Sequence, residues 1–360
     1  MKSPMKIVID GRPLVGERSG IGVHTAEIAT RLEPRPLLAA HAPITDMTGI
    51  GVLEVRVDRA PLGVIWQQAT LPRVLEEEKA DVLWAPHGTI PLRSRIPAVV
   101  TMHDLTSITA PFRHKPSTVL SFNLFVGRSL AAAEKIAAVS RFTAAQVARG
   151  FGIDFRRIEI VPNGVGSEFR VSSEPLDLPE GLEPGGYVLF TGTMEPRKGL
   201  DELLEAWRRL APRPRLVIAG GRGWGLERLR KSLEQYEAGG EIVITGYVPT
   251  SRLADLYRGA ALFVYPSRDE GFGLPPLEAM ACGTPVVATR AGAIPEVTGK
   301  AALLVPPADP DALHHAIRRT LESDALRREL RAAGIARAAL FSWERSARLM
   351  SELLARAAFR

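Results

Sequence analysis

The stretch Ser267-Arg268-Asp269-Glu270-Gly271-Phe272-Gly273-Leu274-Pro275-Pro276-Leu277-Glu278-Ala279-Met280 organises the reading of the whole chain. It follows the apolar run Ala261 to Tyr265, which reads as a strand. Gly271 and Gly273 carry no Cβ, so backbone there can approach a ligand closely. Pro275 and Pro276 suit the first turn of a helix continuing through Leu277, Glu278 and Ala281. Free amides at such a helix start can hold phosphate or sugar oxygens. Glu270 precedes the turn and Glu278 lies in the early helix. Two carboxylates can thus face one polyhydroxylated ligand. The plainer reading is a capped surface helix with two solvated glutamates, and the surrounding glycines and prolines weigh against it.

The same unit of apolar strand, turn and helix recurs outward in both directions. Lys6 to Asp10, Asp81 to Ala85, Ala98 to Met102, Lys135 to Val139 and Ile158 to Val161 read as strands on the N-terminal side. Tyr187 to Phe190, Arg215 to Ala219, Glu241 to Thr245, Ala261 to Tyr265 and Pro285 to Thr289 form a second set. Helical patterns lie between them, among them Gly22 to Leu32, Leu200 to Leu210 and Leu226 to Glu237. Alternating β and α with apolar strands predicts parallel sheets covered on both faces. A segment with Pro175, Pro179, Pro184, Gly185 and Gly186 separates the sets. The expected division is 1–170, a linker 171–186, a second domain 187–341 and a closing helix 342–360. Ser342 is the expected cap of that helix, and Trp343, Leu349, Leu353 and Leu354 its apolar stripe. Ligands of open parallel sheets bind beyond the carboxyl ends of the strands, so the cleft between two such domains is the expected site.

Three further strand ends carry candidates. Gly192-Thr193-Met194-Glu195-Pro196-Arg197-Lys198-Gly199 follows the strand Tyr187 to Phe190. Arg197 and Lys198 then stand at the start of a helix, where cations are unfavourable. An anion between cation and helix, such as a diphosphate, would resolve this. A solvated surface pair is the alternative. Ser19-Gly20-Ile21-Gly22 is a glycine turn opening the first helix, compatible with phosphate or substrate contact. Thr25 stands where a dinucleotide fingerprint would have its third glycine, which counts against a nicotinamide dehydrogenase. His103-Asp104 ends the strand Ala98 to Met102. His103 can meet a sugar hydroxyl or a developing charge, or can simply cap a turn, and His87 has the same placement. His314 and His315 read as surface residues inside a helix.

Composition sets the outer limits. The chain has 360 residues, 46% of them hydrophobic and 24% charged, which excludes a mainly disordered protein. No apolar run suggests a membrane span, and the N-terminal residues do not read as a signal peptide. Cys282 is the only cysteine, so no internal disulfide is expected. No His/Asp/Glu set has metal spacing, and neither a metal nor another cofactor is expected. A cytoplasmic enzyme fits these features. The net charge is +6, and only eight of the 46 basic residues are lysine. Biased codon usage is the plain explanation, and an anionic partner such as a nucleotide, a nucleic acid or an acidic membrane surface the sharper one. No recognition helix or aromatic strand motif supports nucleic-acid binding.

With these motifs in view, the chain resembles the retaining glycosyltransferases of family 4, also called glycosyl transferases group 1. Glu270 and Glu278 form a glutamate, seven residues, glutamate motif. The resemblance also includes Ile9-Asp10-Gly11-Arg12, Thr101-Met102-His103-Asp104-Leu105, Val139-Ser140-Arg141-Phe142, Val161-Pro162-Asn163-Gly164-Val165, Gly192 to Gly199 and Gly283 to Ala288. It implies a GT-B fold, two doubly wound Rossmann-like domains facing a cleft, with the final helix packed back on the N-terminal, acceptor-side domain. It implies transfer of a sugar from a nucleotide diphosphate sugar, GDP- or UDP-linked, to a glycan, lipid-linked or small-molecule acceptor. His103, Arg197, Lys198 and Glu270 would be catalytic. Gly20, Gly22, Gly192, Thr193, Gly271, Phe272, Gly273, Leu274 and Glu278 would bind the donor. Many members have Gly-Arg where Gly192-Thr193 stands, and Arg197 would substitute. The local spelling is mannosyltransferase-like. A nucleotide-sugar epimerase and a non-catalytic nucleotide-sugar-binding protein are the competing readings.

The resemblance also implies acceptor contacts from Leu14 to Ser19, Pro61 to Trp66 and Ser107 to Ser117. Phe112 beside Arg113, His114 and Lys115 would suit peripheral contact with the inner membrane face, with a solvated loop as the plainer reading.

Overall fold

The computed structural model describes residues 5–16, 19–109, 116–221, 223 and 227–359. The chain forms two compact units. The first comprises Met1–Gly164 and Ser342–Arg360, and the second Val165–Phe341. Residues 171–186 therefore belong to the second unit.

Among the described residues, the first unit holds a seven-stranded parallel sheet. Its strands are β1 (Ile7–Asp10), β2 (Leu37–Ala40), β3 (Glu54–Val57), β4 (Val82–Ala85), β5 (Ala98–Met102), β6 (Lys135–Ala138) and β7 (Ile158–Ile160), in the order β3-β2-β1-β4-β5-β6-β7. The second unit holds six strands in parallel: β8 (Tyr187–Thr191), β9 (Arg215–Ala219), β10 (Ile242–Gly246), β11 (Leu262–Tyr265), β12 (Val286–Thr289) and β13 (Leu303–Val305). Their order is β10-β9-β8-β11-β12-β13. In each sheet the chain moves outward from the first strand, then returns to its other side. The carboxyl ends of β1 and β4, and of β8 and β11, flank these reversals, where ligands of doubly wound sheets bind.

Both sheets owe their form to short apolar strands covered on both faces. Every residue of β1, β4, β5, β8, β11 and β12 is buried. Helices cover them through apolar stripes. Leu200, Leu203, Leu204 and Trp207 line one face of the helix Leu200–Arg208 against Val188, Phe190 and Leu216. His314 is buried and its Nδ1 lies 3.0 Å from the Ala206 carbonyl, which corrects the surface reading. The correction has a simple cause. His314 sits next to Leu313 and three residues before Ile317 on the apolar face, and Ala206 offers a hydrogen-bond partner there.

The helix Trp343–Ala358 belongs to the first unit. Ser342 caps it by accepting from the Arg345 amide at 3.2 Å. Trp343, Met350, Leu353 and Leu354 are buried. Ser346 donates to the Pro162 carbonyl at 2.5 Å, and Arg356 pairs with Glu159 at 2.6 Å. Gly164 is what lets this closure form. A Cβ there would lie 2.2 Å from the Trp343 nitrogen. No helix of the described residues is long and apolar enough to cross a membrane.

Candidate active site

In the second unit, both candidate motifs leave the reversal point between β8 and β11. After β8 the chain turns at Gly192, whose φ of 129° suits glycine. Pro196–Lys198 form one tight turn, and Gly199 in the left-handed region (φ 67°) precedes the helix Leu200–Arg208. A Cβ on Gly199 would sit 2.2 Å from the Pro266 carbonyl oxygen, so the segments after β8 and β11 meet backbone to backbone. The helix Leu274–Ala281 starts after Gly273, with prolines in its first turn as expected.

This approach brings Arg197, Lys198 and Glu270 together. Oε1 of Glu270 accepts from Lys198 Nζ at 2.7 Å, Ser267 Oγ at 2.7 Å and Tyr265 OH at 2.8 Å. Arg197 Nη1 stands 3.1 Å from the same oxygen. Oε2 has no partner among the described residues. Lys198 also donates to Tyr265 OH at 2.8 Å, which leaves one of its three N–H groups. Arg197 is anchored by Glu195 at 2.7 Å and by the Asp269 carbonyl at 3.1 Å. The anion that the two cations hold here is thus Glu270. The first helical turn carries its own acids, Asp201 and Glu202, which pair with Arg268. Arg197 and Lys198 lie one turn before that helix rather than on it.

Burial would raise the Glu270 carboxyl, but the charges of Lys198 and Arg197 and the bonds from Lys198 and Ser267 outweigh it and bring it down to about 2. Burial pulls Lys198 below the ordinary lysine range, and the Glu270 charge opposes that fall. Glu278 is separate from this cluster. Tyr257 OH donates to its Oε2 at 3.0 Å, and Thr191 Oγ1 lies 2.8 Å from the same hydroxyl. Burial pushes the Glu278 carboxyl up to about 7, against the Tyr257 bond that lowers it. Gly292 packs against the backbone of Glu270. A Cβ there would fall 2.1 Å from the Glu270 carbonyl, and the next amide, Ala293, bonds that carbonyl at 2.8 Å.

In the first unit, His103 follows β5 and its Nε2 lies 2.9 Å from the Pro86 carbonyl. A carbonyl only accepts, so Nε2 carries the proton and Nδ1 a lone pair. Burial lowers the ring to about 4. His24 packs edge-on against His103, with centroids 4.7 Å apart, and is fixed by Asn163 Oδ1 at 2.7 Å. Gly20 and Gly22 open the helix Gly20–Ala29, Gly22 buried and Gly20 exposed. His87 is exposed. Phe112, Arg113, His114 and Lys115 lie outside the described residues, as does part of Leu14 to Ser19.

A second polar assembly at the reversal between β1 and β4 was not anticipated. Asp10, Arg12, Gln67 and Thr89 form one hydrogen-bonded network there. Tyr265, Tyr257 and Gly292 were likewise absent from the expected set. In the sequence Tyr265 reads only as the end of a strand and Tyr257 carries no signal; their hydroxyl partners reveal more.

The family model for glycosyl transferases group 1 matches residues 180–337, and that for glycosyltransferase family 4 matches residues 18–169. The O-antigen chain mannosyltransferase B of Escherichia coli is 34% identical, over 94% of this chain and 97% of its own length. The chain belongs to the group 1 glycosyltransferases, family 4. Among other relatives of this glycosyltransferase, the D-inositol 3-phosphate glycosyltransferase of Segniliparus rotundus is 31% identical over 71% of this chain and 60% of its own length. The serotype-specific mannosyltransferase WbdA of Escherichia coli is 30% identical over 71% of this chain, which spans only 33% of that protein. In fold, HepE of Anabaena in complex with UDP aligns with a TM-score of 0.77 at 20% identity, covering 98% of this chain and all (100%) of that one. Sucrose-phosphate synthase of Thermosynechococcus elongatus aligns with a TM-score of 0.78 at 24% identity, covering 98% of each chain. The architecture is GT-B, two parallel-sheet α/β domains.

Proposed function

We propose that this glycosyltransferase moves a mannosyl group from a nucleoside diphosphate sugar to a hydroxyl of a glycan acceptor, with retention at the anomeric carbon. The observation that carries the reading is the uneven use of Glu270. Four donors converge on Oε1, and Oε2 is left to accept from a sugar hydroxyl. A relative matched over 94% of this chain is named a mannosyltransferase, which supports mannose over other sugars. A group 1 relative named for transfer also favours this reading over an epimerase or a non-catalytic binder.

In this reading the anomeric C–O bond to the diphosphate breaks and its electrons leave with the diphosphate. The acceptor oxygen attacks from the same face, and its proton passes to the departing phosphate oxygen. Lys198, with one uncommitted N–H, and Arg197 stabilise the negative charge that develops there, together with amides around Phe272 to Leu274. Gly192 and Thr193 line the diphosphate from the β8 side. Gly20 and Gly22 present helix-start amides to phosphate or acceptor. Glu278 accepts from the ribose hydroxyls. His103, neutral at pH 7, offers its Nδ1 lone pair to a hydroxyl of the transferred sugar.

Incubation with GDP-mannose, UDP-mannose or UDP-glucose and methyl α-D-mannopyranoside tests this, with products read by NMR. Mannosyl transfer giving an α-linked product is expected from an α-linked donor. A β-linked product would overturn retention. Nucleotide release without acceptor dependence, or stabilisation by nucleotide without transfer, would favour the epimerase or the binding protein.

A further inference from the structure

The network at the β1–β4 reversal is built like a binding site rather than a solvated ion pair. Asp10 is fully buried, and Arg12 has 8% of its side chain exposed. Arg12 Nε donates to both Asp10 oxygens, at 2.9 and 3.0 Å. Its Nη2 reaches Asp10 Oδ2 at 2.8 Å and Thr89 Oγ1 at 3.1 Å. Gln67 closes the ring, donating to Asp10 Oδ2 at 2.8 Å and the Thr89 carbonyl at 2.7 Å. Thr89 in turn donates to Gln67 Oε1 at 3.1 Å. The guanidinium is therefore fixed on one edge. Its two Nη1 hydrogens have no acceptor among the described residues, and Nη1 is not sealed from solvent.

Three further features accompany the network. Gln67 sits on a wide, π-type turn, Trp66–Thr70, a form concentrated at functional sites. His41 Nδ1 is buried with no partner among the described residues. Gly63 makes room for both side chains, since a Cβ there would lie 3.1 Å from Arg12 Cδ and 3.1 Å from His41 Cε1. Charge narrows the ligand. The Asp10 carboxylate matches the Arg12 cation, so no excess charge remains for a phosphate. Fixed donors without net charge suit the hydroxyls of a neutral sugar.

We infer that Arg12, through Nη1, binds hydroxyls of the neutral sugar acceptor, with Asp10, Gln67 and Thr89 holding the guanidinium and His41 completing the subsite. The inference rests on the sugar transfer proposed above and adds the acceptor's binding group. Arg12→Lys is the informative variant, because it keeps a cation beside buried Asp10 while removing the open fork. Titration with methyl α-D-mannopyranoside, followed by saturation-transfer NMR, gives the affinity. A weakening of about tenfold or more is expected, the value of hydrogen bonds to a charged group. Gly63→Ala, which pushes on Arg12 and His41, is expected to weaken binding in the same direction. Inorganic phosphate is expected not to displace the glycoside. Unchanged affinity in Arg12→Lys, phosphate outcompeting the glycoside, or no glycoside binding by the native chain would each overturn the inference. Thermal stabilisation of both proteins by GDP or UDP reports folding and the donor reading separately, so the two ideas fail independently.

Discussion

Lys198 and Glu270 show how much one ion pair constrains chemistry. Lys198 is already neutralised by Glu270, so in the proposed reaction its value to a leaving diphosphate would lie in position and in its remaining N–H. Charge placed where charge develops lowers a barrier more than it strengthens ground-state binding. Lys198→Ala is therefore expected to lower kcat by about 10²–10³-fold, with a smaller change in donor affinity. Steady-state kinetics alongside donor titration checks this, and unchanged turnover would remove Lys198 from the mechanism. Glu278 makes a different prediction. With its carboxyl at about 7, it is largely protonated at pH 6 and ionised at pH 8. Ribose hydroxyls need the ionised form as acceptor. Nucleoside diphosphate affinity should therefore rise through pH 7 and level off above it. Calorimetric titration of the native chain and Glu278→Gln, at several pH values, subtracts the phosphate's own ionisation. A native curve parallel to that of Glu278→Gln would refute the ribose role. The sign for folding runs the other way. A carboxyl with a raised folded pKa stabilises the fold only while protonated, so this contribution declines as pH climbs from the ordinary glutamate range to about 7.

At the scale of elements, the glycine turns were readable because each has a local cause. Gly192 and Gly273 announce strand-to-helix turns, and Pro275 and Pro276 mark the helix that follows. Other elements left weaker traces. β2, Leu37–Ala40, is short and follows Pro34 and Pro36, while β3, Glu54–Val57, mixes charged and apolar residues on a half-exposed edge. β13 has three residues. Polar partnerships were least visible, because they link distant positions. Gln67 reaches Asp10 across 57 residues, and no spacing rule connects them. Tyr265 was legible as the end of a strand, and neither it nor Tyr257 as a hydrogen-bond donor. Gly164 lies between these extremes. It was part of a recognised motif, but its reason is the Ser342–Trp343 backbone packed against it. Gly164→Ala would press a methyl into that backbone, which cannot yield as a flexible side chain could. We expect a loss of about 1–3 kcal/mol, read by urea unfolding. Wild-type stability in this variant would show that the segments separate at little cost.

At the scale of the molecule, the second unit is inserted into the first. The first unit needs chain from both ends, Met1–Gly164 and Ser342–Arg360, whereas the second is continuous. The closing helix of the first unit contributes Trp343, Met350, Leu353 and Leu354 to a buried face. Leu353→Ala should therefore weaken the first unit by about 2–5 kcal/mol, as buried leucine deletions do. Lys198, Glu270 and Glu278, the residues proposed to meet the donor, all belong to the second unit. Nucleoside diphosphate stabilises only what binds it, by an amount set by concentration and affinity. The two perturbations should then separate in calorimetry. Leu353→Ala lowers the transition that the closing helix belongs to, and GDP or UDP raises the other. Hydrogen exchange assigns each transition, with faster exchange in β4, β5 and β6 of the variant and nucleotide protection around Gly192–Gly199 and Glu270–Glu278. A single transition, moved equally by mutation and nucleotide, would mean that the two units unfold as one cooperative body despite their separate cores.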